Sequence, residues 1–69
     1  MNNNYNIAVS AVKLFSDGLS SNNYIKVREA LNMVRTDGFS WDGLEVVQME
    51  WDECRYELNS RYQEVKSKL

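Results

Sequence analysis

The feature that most limits what this chain can fold into is its punctuation. It contains no proline, and its three glycines stand at positions 18, 38 and 43. Everything after Gly43 therefore runs to Leu69 without a residue that breaks a helix. The glycines divide the chain into three stretches whose apolar residues recur at steps of three and four, the spacing of one helix face. In the first stretch these are Tyr5, Ala8, Val12 and Phe15, with Ile7, Ala11 and Leu14 beside them. In the second they are Tyr24, Val27, Leu31 and Val34, flanked by Ile25, Ala30 and Met33. The expectation is an all-α fold, a single helical domain over residues 1–69. It is a three-helix arrangement, with two short helices packed on one long C-terminal helix.

Local signals place the ends. Gly18 is expected to cap the first helix in the left-handed conformation, and Gly38 to end the second. Serines and asparagines at 20–23 offer side-chain acceptors for the start of the second. For the third, Ser40 is the expected N-cap. Phe39 and Leu44 are the two partners of a hydrophobic staple, with Asp42 in the first turn against the helix dipole.

The long helix carries an apolar seam of Leu44, Val47, Trp51, Cys54, Leu58, Tyr62, Val65 and Leu69. Arg61 stands where a strict coiled coil would place an apolar residue, which favours packing in a bundle. A helix of about 28 residues is roughly 42 Å long. Each preceding helix is expected to reach about half as far, so Trp41, Leu44, Val47 and Trp51 are assigned to the core. Leu58, Tyr62, Val65 and Leu69 are left as a self-association surface, because a stripe of that size is seldom left in water. A homo-oligomer follows, in its simplest form a homodimer. Off the seam, Met49 and Tyr56 lie one heptad apart beside Glu53 and Glu57, which makes these four the expected surface for a protein partner.

Sixty-nine residues bury too little surface for ample stability, and small domains are usually supplemented by disulfides, a metal or association. One cysteine, Cys54, precludes an internal disulfide, and the absence of histidine removes the commonest metal ligand and general base. Association remains. The spacing of Glu50, Glu53 and Glu57 lacks the histidines of carboxylate-bridged metal bundles. "DGFSWDGLE" puts Phe39 and Trp41 where a calcium loop needs oxygen. No glycine-rich phosphate cradle occurs. No catalytic residue, cofactor or metal is therefore assigned, and the chain is not expected to be an enzyme.

The net charge of −2, with eight basic and ten acidic residues, lacks the basic stripe of a nucleic-acid binder. A would-be recognition helix opening on Asp42 and Glu45 would be repelled by phosphates. Apolar runs of two or three residues exclude a membrane span, and "MNNNYN" has no secretory-signal pattern. The resulting expectation is a cytoplasmic, non-enzymatic helical module for protein–protein interaction. Its size and Asn-rich start fit a phage-type (viral) inhibitor or regulator of a host protein. The alternative is a small-ligand or nucleotide binder with a site between subunits, built from Tyr56, Tyr62, Arg55 or Arg61.

Overall fold

The computed structural model describes residues 3–68, with side chains described through residue 63. Three helices follow in order: α1, Asn3–Ser20; α2, Tyr24–Met33; and α3, Glu45–Lys68. Among the described residues there is no strand, and no helix is long and apolar enough to cross a membrane.

The end of α1 differs from expectation. Gly18 is buried inside the helix rather than capping it, and the left-handed residue is Asn22, with φ of 56°. Asn22 donates its backbone N–H to the carbonyl of Leu19 at 3.3 Å, and Asn23 donates to that of Gly18 at 2.8 Å. This pair of crossed bonds is a Schellman closure, which satisfies carbonyls that the helix itself leaves open. Asn tolerates the left-handed conformation better than other side chains do. Asn23 then opens α2 at once. Its side-chain oxygen accepts from the backbone N–H groups of Ile25 and Lys26, an N-cap worth about 1 kcal/mol.

Gly18 has a different task. A Cβ at this position would lie 2.9 Å from Val27 Cγ2 and 3.0 Å from both Asn23 O and Val27 N. The missing side chain is what lets α2 fold back tightly against α1. Lys26 adds an ion pair with Asp17 across the turn, at 2.5 Å, but both side chains are largely solvated and the pair contributes little.

The second helix stops earlier than the position of Gly38 predicts. Thr36 turns its hydroxyl back to the carbonyl of Met33 at 3.0 Å, competing for the helix's last acceptors. Gly38, at φ of 88°, belongs to the turn beyond, closed by the Phe39 N–H donating to Thr36 O. The third helix starts later than expected. Ser40 accepts through Oγ from the Asp42 N–H, but the turn so formed does not continue as a helix. Gly43 takes φ of 77°, and the Leu44 N–H returns to Trp41 O at 2.9 Å. Only from Glu45 does the helix propagate, so Phe39 and Leu44 do not flank its first turn as a staple. Phe39 instead meets Trp41 edge-on, with ring centroids 4.9 Å apart.

The core forms where α1 meets both partners. Ala8, Ala11, Val12, Phe15 and Leu19 of α1 are buried with Val27 and Ala30 of α2 and with Leu44 and Trp51. Trp51 is the centre of the aromatic packing. Phe15 approaches it edge-on at 4.9 Å, and Trp41 lies tilted at 5.6 Å. Pairs of this kind contribute about 1 kcal/mol each beyond the area they bury. Packing of a shorter helix on the long one is thus seen for α1 but not for α2. The shared partner is α1, which packs against both α2 and α3, whereas the backbones of α2 and α3 make no close approach.

Contacts along the bundle fix the directions. Phe15 faces Trp51, and Leu19 faces Arg61, so α1 and α3 run the same way. The turn at Ser20–Asn23 makes α2 antiparallel to both. Since α1 is 18 residues long, more than the sequence predicts, it accompanies α3 as far as Arg61. The helical backbone that follows continues past the α1–α2 turn, and the molecule is elongated, 46 Å by 20 Å by 20 Å.

Candidate interaction surfaces

Three surfaces run along α3, because one stripe of this helix is covered by α1 and the rest is left to other uses. The outer surface holds Val46, Met49 and Tyr56, which are 74%, 64% and 77% exposed. Met49 and Tyr56 stand seven residues apart, two turns along one side, with Glu53 and Glu57 exposed beside them. The four residues expected to meet a partner therefore do share one solvent-facing region.

The second surface is a cleft of about 360 Å³ between α1 and α3, lined by Val12, Ser16, Cys54 and three glutamates, Glu50, Glu53 and Glu57. Despite that composition, no group of three acidic, cysteine or histidine side chains among the described residues is placed to hold a metal ion. The carboxylates act instead on Cys54. Partial burial, then Glu57, Glu53 and Glu50, push its thiol above its ordinary value of 9.0. Each works in the same sense, since a thiolate is disfavoured both by lost water and by neighbouring negative charge. Cys54 is a neutral thiol at physiological pH, the opposite of an activated nucleophile.

The third surface is the gap between α2 and α3. Its lower end, of about 340 Å³, is lined by Tyr24, Leu58, Arg61 and Tyr62. Its upper end, of about 370 Å³, begins at the same Leu58 and extends to Trp51, Trp41, Leu31 and Val34, with Arg35, Arg55 and Asn59 at the edges.

The self-association residues divide. Leu58 is half-buried and packs against the core, so the intrachain fold already uses part of this side chain. Tyr62 is 64% exposed. The side chain of Val65 and all of Leu69 lie outside the described residues. Tyr24, expected on the apolar face of α2, is also largely in solvent, across the gap from Tyr62.

Arg61 is the residue whose role the sequence did not reveal. Its Nη1 donates to the carbonyl of Leu19 at 2.6 Å and to Asn22 Oδ1 at 3.3 Å, while Nη2 meets Glu57 Oε1 at 3.1 Å. Only the last contact is legible as an i, i+4 pair. The first two hold the C-terminal end of α1, where a cation also complements the helix dipole. This engagement leaves Arg55 as the guanidinium of the two with no ion-pair partner among the described residues. Comparison with protein-family models, with curated proteins and with solved structures finds no match for this chain.

Proposed function

We propose that this protein is a small, non-enzymatic helical module that binds another protein in the cytoplasm and regulates or inhibits it. The observation supporting this reading is that Val46, Met49 and Tyr56 of α3 are held in solvent. Methionine and tyrosine are enriched at interface centres, and Glu53 and Glu57 would form the polar rim of such a contact. The second element of the proposal is self-association through the end of α3, with Tyr62 and the overhanging turns as the contact. Exposed tyrosines at 24 and 62 on either side of the lower gap give a second copy an aromatic surface to cover.

Affinity capture tests the partner-binding part. Wild type and the double variant Met49→Ala/Tyr56→Ala would be used as baits in lysate of the source cells. The expected result is a protein held by wild type and lost from the variant, with both baits equally helical. Identical capture by the two baits would refute the outer surface as the binding site.

A further inference from the structure

The two grooves flanking α3 carry opposite charge. On the α1 side the cleft is lined by three glutamates and no basic residue. On the α2 side the upper groove is lined by Arg35 and Arg55 and no acidic residue. Neither arginine has an ion pair or side-chain hydrogen bond among the described residues. A chain with a net charge of −2 thus presents a locally cationic groove, and its lining is otherwise largely aromatic and aliphatic: Trp41, Trp51, Leu31, Val34 and Leu58.

We propose that this upper groove is a second docking site, distinct from the outer surface of α3, for an acidic peptide segment of a partner protein. A large apolar side chain of that segment enters between Trp41 and Leu58, and flanking carboxylates pair with Arg35 and Arg55. Guanidinium forks bind carboxylates in two-pronged fashion, which gives the contact orientation as well as charge complementarity. A volume of about 370 Å³ accommodates one such anchor with its neighbours. A second copy of this chain fits poorly here. Groove against groove would bring the arginines of one copy onto those of the other. The acidic flank of one copy against the groove of the next would be a head-to-tail contact, which has no reason to close.

The groove contains its own reporter, since Trp41 and Trp51 are the chain's two tryptophans and both line it. A displayed library of random twelve-residue peptides lacking tryptophan would be selected on the protein. The best binders would then be synthesised and titrated while tryptophan emission is followed. Expected are sequences with a large apolar residue flanked by Asp or Glu, and a saturable change in emission. Arg35→Glu/Arg55→Glu should weaken binding at least tenfold, and Arg35→Lys/Arg55→Lys should recover part of it. Met49→Ala/Tyr56→Ala should leave it unchanged, which separates this site from the outer surface. Both arginines are exposed, so circular dichroism is expected to show the variants folded. The proposal is overturned if no binder is selected, or if binders lack acidic residues or ignore the charge reversal. It is overturned equally if emission shifts with ATP but not with the peptides.

Discussion

Arg61 donates a hydrogen bond to the backbone carbonyl of Leu19, 42 residues earlier in the chain. One side chain of α3 thereby closes the end of α1 and sets how far the two helices run together. Its side chain is 30% exposed, so solvent screens the contact only in part. Arg61→Met keeps the aliphatic stem and removes the donors. The expected loss is about 1.5 kcal/mol, the low end for a charged hydrogen bond because of that exposure. Urea unfolding with an unchanged slope would measure it. No change in midpoint would show the contact to be energetically idle.

Gly18 gives a prediction whose sign runs against helix propensity. In an exposed helix, glycine to alanine stabilises by about 1 kcal/mol. Here the added Cβ meets backbone atoms of Asn23 and Val27 at 3.0 Å, and these are fixed by the cap they form. Gly18→Ala should therefore destabilise by about 2 kcal/mol, as overpacking does, and loosen α2 from α1. A melting temperature at or above wild type would contradict the close approach.

Cys54 makes stability depend on alkali. Its thiol is raised above 9.0 in the folded chain, first by burial and then by Glu57, Glu53 and Glu50. With the folded value above the unfolded one, its contribution is fully present below pH 9 and is lost as the pH rises through the raised value. The stability difference between wild type and Cys54→Ala should stay constant from pH 6 to about 8.5 and then shift against wild type. Chemical unfolding of both proteins across that range would test it, because other titrating groups cancel in the difference. The same shift predicts slower alkylation of Cys54 at pH 7.5 than of a cysteine in a short peptide.

Tyr62 separates assembly from folding. Leu58 packs partly on the core, so an aspartate there would damage the monomer as well as any interface. Tyr62 is exposed, and Tyr62→Asp should leave helicity intact. If copies associate through the end of α3, the variant should raise the dissociation constant at least tenfold, about 1.4 kcal/mol. Sedimentation velocity at tens of micromolar is the measurement. A wild type that sediments as a monomer would remove self-association from the proposal.

Much of the fold was legible because helix periodicity is a local property. The apolar steps of three and four identified all three helices, and Asn23 was among the expected caps. The boundaries were less so. Ser40 followed by Asp42 has the form of a helix start, yet Gly43 takes a positive φ and postpones it to Glu45. Gly18 looks in sequence like a stop signal. That it is instead a point of contact between helices depends on Val27, nine positions away.

What the sequence by itself determined is the helical content, most of the core, though not the burial of Leu19 or the exposure of Tyr5 and Tyr24, and the outward placement of Met49, Glu53, Tyr56 and Glu57. Each follows from residues within a few positions of one another on a single helix. Only the tertiary structure decided that α1 is the shared partner of both other helices, that Arg61 caps it, and that the two flanks of α3 differ in charge. Those outcomes depend on which side chains from distant segments come together. Helical spacing constrains the faces of a helix, but it contains no term for the distance between them.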